Sequence, residues 1–184
     1  MDHYIDIRVL PDPEFPNSVL MNALFAKLHR ALVEAGEGEL GISFPKAGKY
    51  LGELLRIHGK EAALARLMSL PWLKGLRDYT ETSPLLPVPD GCQYRVVQRR
   101  QAKSSAERLR RRSIAKGWLA ETEAIERIPD SNEQRVKAPF IQLKSATSGQ
   151  TFRLFIYQNK LQKEPQSGAF SAYGLSSQAT IPWF

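Results

Sequence analysis

An α+β fold is predicted for this chain by three observations. Residues 1–90 read in the order β-α-β-β-α-β. Two β-rich runs flank Ser148-Gly149 near the other end, and an arginine-rich helix pattern lies between. The composition supports a globular fold: 184 residues, 42% hydrophobic, 24% charged, with 12 Gly and 12 Pro. That length suffices for one large domain or two small ones.

The elements follow in order. Ile5, Ile7 and Val9 alternate with Asp6 and Arg8, which predicts a half-buried strand over 2–10. The loop PDPEFPN leads to Asn17, a capping residue, and a helix to about Ala35. Leu20, Leu24, Leu28 and Ala31 line one face of that helix, widened by Phe25 and Leu32, and Gly36 stops it. Residues 40–44 and 51–58 read as two strands joined by a turn containing Gly48. GKEAALARLMSL is a second helix ended by Pro71. A fourth strand is available in 79–88, where Pro84 and Pro87 confine it to an edge or truncate it. This order matches a ferredoxin-like sandwich over 1–90.

Residues 91–184 form a C-terminal α/β region. YRVVQRRQAK is an extended linker or a short strand. Ser104 and Glu107 make a capping-box pattern for a helix over about 104–117, ending at Gly117. A short helix over about 120–128 stops at Pro129, and a β-hairpin is expected over about 139–159. The closing Trp183 and Phe184 are expected to pack in the core, with contact to a neighbouring subunit as the other reading. Periodicity does not decide whether this half is a second small domain or a decoration of the first.

The charge is unevenly placed. Formal net charge is +7, yet residues 1–90 carry 10 Lys/Arg against 12 Asp/Glu, and residues 91–184 carry 16 against 7. Nine basic residues between Arg95 and Lys116 meet one acid, Glu107. A neutral half joined to a basic half indicates a polyanion surface on one side; the plainer reading is a solvated charged face. Arg108, Arg111, Arg112 and Lys116 fall along one broad helix face with Arg110 at a side, while Ala106, Leu109, Ser113 and Ile114 fall toward the other. The cationic ridge is roughly 15 Å long and suits two rows of phosphates. Arg99, Arg100, Gln101 and Lys103 precede it, and their forked groups suit base edges. RNA and DNA both fit this pattern.

One cysteine, Cys92, excludes an internal disulfide, and three widely spaced histidines argue against a zinc site, so no metal or cofactor is expected. No apolar run approaches the ~20 residues that span a bilayer. The opening MDHYIDIRVL lacks signal-peptide architecture, and a cytoplasmic setting is expected. His29 sits at the edge of the first helix's apolar stripe, where it either packs or faces a cleft; His3 and His58 read as structural. In the run KSATSG, Ser145, Thr147 and Ser148 either cap backbone groups or hold a ribose hydroxyl or phosphate. Phe152, Phe155 and Tyr157 either enter the core or stack bases.

Over essentially its full length the chain resembles the CRISPR-associated endoribonuclease of type I-F systems, which cuts repeat RNA into guide RNAs. The resemblance is carried by DHYIDIR, Leu28-His29, QAKS…ERLRRR, IPD at 128–130, SGQTFRLFI at 148–156, YGLS at 173–176 and the terminal PWF. It implies a ferredoxin-like domain and an arginine-rich helix docked in the major groove of a hairpin. It also implies metal-independent cleavage at the 3′ base of the stem, leaving a 2′,3′-cyclic phosphate. By position, His29 is the expected base, Ser145 (Thr147 second) the residue that holds the 2′-hydroxyl, and Tyr173 the residue that orients the imidazole or braces the nucleotide. Arg99 and Gln101 are expected to read base edges, Arg112 a guanine or phosphate, and Phe152 to stack on the bottom base pair. Lys103, Arg108, Arg111, Lys116 and Thr147 complete the expected RNA contacts. Where family members carry further arginines, this chain has Ala115 and Lys116. The resemblance further implies a monomer in isolation that stays on the 3′ hairpin within a surveillance complex. A non-catalytic hairpin binder and a scaffold subunit are the competing functions.

Overall fold

The structure, a computed structural model, describes residues 1–35, 38–101, 106–129, 136–145 and 148–184. Lys103, Ser104, Thr147 and Gly36, singled out from the sequence, lie outside these. Helix and antiparallel sheet are mixed, so the class is α+β. Two compact units are present: residues 1–99 with 138–184, and residues 100–137.

The larger unit opens with β1 (His3–Val9), α1 (Asn17–Ala35), β2 (Gly41–Ser43), β3 (Leu54–Gly59), α2 (Glu61–Ser69) and β4 (Thr80–Thr82). This is the β-α-β-β-α-β order read from the sequence. The sheet runs β2-β3-β1-β4, and its neighbouring strands pair antiparallel. The fourth strand is broken as its prolines require: β5 (Leu86–Pro87) resumes the pairing with β1 after Pro84. Ile5, Ile7 and Val9 point into the core, where they meet Leu20, Leu24, Phe25, Leu28, Ala31 and Leu32 of α1. Arg66 of α2 donates from Nε to the Ala35 carbonyl at 2.7 Å, satisfying an orphan acceptor at the end of α1.

A second sheet runs β7-β8-β6-β9, from β6 (Gln93–Arg100), β7 (Phe140–Lys144), β8 (Thr151–Gln158) and β9 (Thr180–Trp183). The β7–β8 hairpin pairs Phe140 with Phe155 and Lys144 with Thr151. Its inward residues Ile141, Leu143, Leu154 and Ile156 belong to the same hydrophobic cluster as α1. Asn22 of α1 accepts the Gln142 N–H at 2.9 Å. Pro182 is tolerated because β9 is an edge strand. Trp183 packs against the core. Phe184 does not enter it: the ring stays 39% exposed and lies 4.1 Å from the Arg56 guanidinium carbon.

The smaller unit contains α3 (Ala106–Ala115) and α4 (Glu121–Arg127), which pack together. Gly117, at φ +69, ends α3: its N–H reaches the Ile114 carbonyl and that of Trp118 the Ser113 carbonyl. These paired bonds need the left-handed conformation that glycine adopts without strain. Among the described residues no helix is long and apolar enough to cross a membrane.

Candidate nucleic-acid and catalytic site

His29 is half-buried on α1, beside the apolar stripe that fixes the helix on the sheet. Its Nδ1 lies 2.8 Å from the carbonyl oxygen of Ala172, on a turn 143 residues away. A carbonyl only accepts, so Nδ1 carries the hydrogen and donates it. In the neutral ring this leaves the lone pair on Nε2. The imidazole therefore has a proton acceptor in a fixed place.

Tyr173, next on that turn, stacks on the imidazole with centroids 4.2 Å apart and planes 15° from parallel. Behind it lies Phe25, 6.3 Å from Tyr173 and 10° from parallel, and Phe44 stacks on Phe25 at 6.3 Å. The imidazole thus forms the outer end of an aromatic row rooted in the core. His29 and Tyr173, both singled out from the sequence, are brought into direct contact.

Ser145 occupies the β7–β8 turn. Its N–H donates to the Gln150 carbonyl at 2.9 Å, and its Oγ accepts the Ser148 N–H at 3.2 Å. The hydroxyl thus caps its own turn, the plainer of the two readings, yet an accepting hydroxyl keeps its proton to donate elsewhere. Phe152 pairs with Leu143 and faces the core side of β8, half-buried, two residues before the fully enclosed Leu154. Phe155 points to the opposite face, where it meets Phe140 edge-on at 5.5 Å.

Arg108, Arg111 and Arg112 on α3 and Lys116 just past its end are exposed, while Ala106 is buried and Leu109 and Ser113 are half-buried. Two positions differ from the sequence reading. Ile114 is 40% exposed, because the packed face is narrower and centres between Ala106, Leu109 and Ser113. Arg110 turns inward instead, donating from Nε to the Ile128 carbonyl at 2.8 Å at the end of α4. Arg99, the next-to-last residue of β6, is exposed, and so is Gln101 just after the strand. Among the described residues no cluster of three His, Cys, Asp or Glu is placed to hold a metal.

The sequence model of the family described as "CRISPR-associated protein (Cas_Csy4)" matches residues 4–184. A curated Escherichia coli (strain UTI89 / UPEC) protein, "CRISPR-associated endonuclease Cas6/Csy4", is 54% identical over 184 residues, covering all of both chains. A protein of the same description from Pseudomonas aeruginosa (strain UCBPP-PA14) is 48% identical over 187 residues, again covering both chains fully. This chain belongs to the Cas_Csy4 family.

The match spans α1, α3, the β7–β8 hairpin and the 171–175 turn, so the geometry above lies within the family region throughout. Sequence reasoning missed the Ala172 carbonyl, since a backbone acceptor on an alanine leaves no signal in residue type. It also missed Gln158, whose side-chain amide bonds both the N–H (3.0 Å) and the carbonyl (3.1 Å) of Phe44, tying β8 to the end of β2. Arg95, counted among the nine cations, is half-buried: it lies 4.1 Å over the Trp183 ring, and burial lowers its pKa. The basic count between Arg95 and Lys116 therefore overstates the exposed charge, because Arg95 and Arg110 are spent on packing.

Proposed function

We propose that this member of the family is an endoribonuclease that binds the stem-loop of CRISPR repeat RNA and cuts at the 3′ base of the stem. The observation that carries the chemistry is the His29–Ala172 hydrogen bond, which leaves Nε2 as a fixed proton acceptor. In this reading His29 Nε2 takes the proton of the 2′-hydroxyl upstream of the scissile phosphate. The resulting oxygen attacks phosphorus, the bond to the 5′-oxygen breaks, and that oxygen leaves and is protonated. The product is a 2′,3′-cyclic phosphate. The nucleophile comes from the RNA and the proton acceptor from His29, so this step uses no metal ion. DNA, lacking the 2′-hydroxyl, has no nucleophile for this step and does not react.

Ser145 hydrogen-bonds the 2′-hydroxyl and fixes its line of attack, Tyr173 holds the imidazole, and Phe152 stacks on the bottom base pair. Arg108, Arg111 and Arg112 on α3 and Lys116 just after it meet the stem phosphates, with Arg99, Gln101, Lys103 and Thr147 completing the RNA contacts. A deep A-form major groove excludes side chains along a continuous duplex, whereas a short stem with a near end admits a helix. The dense cationic surface favours slow release, so the enzyme stays on the 3′ hairpin as a subunit of the type I-F surveillance complex. The relatives' names support the endonuclease activity.

The test is cleavage of the cognate repeat hairpin in excess chelator by wild type and His29→Ala, with a second substrate carrying one 2′-deoxyribose at the scissile position. Wild type cuts; both changes abolish cutting and leave binding intact. Tight binding with no cutting in any lane leaves a hairpin-binding subunit and removes the catalytic assignment.

A further inference from the structure

We infer that Gly174 is a positioning residue for His29, acting through the carbonyl of Ala172, with Ile42 as the surface against which it is set. The inference rests on His29 being the proton acceptor.

The Ala172 carbonyl is held by a turn bonded through backbone groups and the Ser171 hydroxyl, whose Oγ accepts the Tyr173 N–H of the same peptide unit at 3.4 Å. Ser171 N–H donates to the Leu175 carbonyl at 2.8 Å, and Gly174 N–H to the Ser171 carbonyl at 2.8 Å. The turn is moored to the first sheet by Ile42 N–H, which donates to the Gly174 carbonyl at 3.0 Å. Gly174 adopts φ +68, in the left-handed region. A Cβ built there meets Ile42 Cγ2 at 2.7 Å and Cγ1 at 3.3 Å. Ile42 is fully enclosed and paired with Ile57, so it has no room to retreat. A side chain at 174 therefore displaces the turn, and the carbonyl two residues earlier moves off His29 Nδ1. The 2.8 Å bond weakens steeply with distance and angle. Once it is lost, nothing holds the proton on Nδ1, and a ring protonated on Nε2 has no acceptor there. Glycine at this position fixes which nitrogen is the base.

The test uses Gly174→Ala, Ile42→Ala and the double variant. Ring nitrogens are read by NMR on 15N-histidine protein at pH 8; the chain has three histidines, so the signals are few. Wild-type His29 shows the Nδ1–H tautomer. In Gly174→Ala the tautomers mix and single-turnover cleavage falls roughly 10-fold or more, while affinity for a 2′-deoxy hairpin is unchanged. The double variant removes the clashing Cγ atoms of Ile42 and recovers the Nδ1–H tautomer and part of the rate, although the left-handed φ at 174 still strains an alanine and a core cavity is added. A glycine needed only for stability predicts the reverse, with the double variant worse than either single one. The inference is overturned if Gly174→Ala keeps a pure Nδ1–H tautomer, or if the double variant recovers nothing. Should Gly174→Ala fail to fold by circular dichroism, the double variant and Ile42→Ala decide it: both must retain the Nδ1–H tautomer. If His29→Ala cuts like wild type, the catalytic reading fails, and the tautomer data still decide what Gly174 does.

Discussion

The imidazole of His29 lies face to face with the ring of Tyr173, 4.2 Å between centroids and 15° from parallel. A stack of this kind restricts rotation about the ring's own bond to Cβ. Acting together with the Nδ1–Ala172 bond, it confines both the plane of the imidazole and the identity of its basic nitrogen. Neither restraint alone does both.

The stack predicts a division between two variants at Tyr173. Tyr173→Phe keeps the ring and retains cleavage within about 3-fold of wild type. Tyr173→Ala removes a contact of about 0.5–1.5 kcal/mol, equivalent to about 2- to 12-fold in rate. Single-turnover cleavage at saturating enzyme separates them. A large loss in Tyr173→Phe shifts the role of Tyr173 from orienting the ring to bracing the nucleotide through its hydroxyl.

Arg56 supports a prediction about stability. Its Nε and Nη2 donate to the two carboxylate oxygens of Asp6 at 2.7 and 2.9 Å, and its guanidinium carbon lies 4.6 Å over Tyr4 and 4.1 Å over Phe184. The side chain is only 10% exposed, so the forked, stacked geometry matters more than the charge. Arg56→Ala leaves Asp6 without its partner and lowers stability by about 3 kcal/mol. Arg56→Lys recovers less than half of that, because an ammonium forms neither the fork nor the flat stack. Urea unfolding measures both; equal stability of the Lys variant and wild type contradicts the geometric account.

Where the sequence was legible, its pattern and the final contacts were local. The alternation of Ile5, Ile7 and Val9 and the stripe on α1 each specify a buried face by themselves. The break in the fourth strand followed from Pro84 in the same way. β6 stayed open between linker and strand because YRVVQRRQ alternates poorly. Its strand character comes from pairing with 180–183, more than eighty residues on. His29 was likewise open between packing and function. Its decisive partner is a backbone oxygen far along the chain, and no motif marks one. Composition misled for Arg95 and Arg110, since a count of cations does not say which of them lie over tryptophan or end on a helix carbonyl.

The contrast between Arg110 and its neighbours predicts two separable phenotypes on α3. Arg111→Ala and Arg112→Ala remove exposed cations, so RNA affinity falls and its dependence on salt becomes shallower by about 0.7–0.9 in log–log slope per lost phosphate contact. Thermal stability is unchanged. Arg110→Ala removes the donor to the Ile128 carbonyl and lowers the stability of the helical unit by about 1 kcal/mol. Binding titrations at several salt concentrations, paired with melting curves, test the assignment. An Arg110 variant that changes the salt slope as much as Arg112→Ala refutes it.

His58 predicts how the fold responds to acid. Its ring is fully enclosed, with Nε2 and Ser43 Oγ sharing a hydrogen bond of 2.8 Å and Nδ1 without a partner among the described residues. Burial, reinforced by the positive Arg56, pushes its pKa down from 6.5 to about 3. The folded chain therefore leaves His58 neutral where the unfolded chain protonates it. This contribution to stability is whole above pH 6.5 and declines as the pH falls toward 3. At pH 5 the loss is about 2 kcal/mol, from the 1.5 pH units below the unfolded value. His58→Gln retains a partner for Ser43 and has nothing to titrate, so it starts less stable at pH 7.5 but loses less on going to pH 5. Urea unfolding at the two pH values gives both differences. If wild type and His58→Gln lose the same amount, the acid sensitivity of the fold lies in its carboxylates and His58 carries none of it.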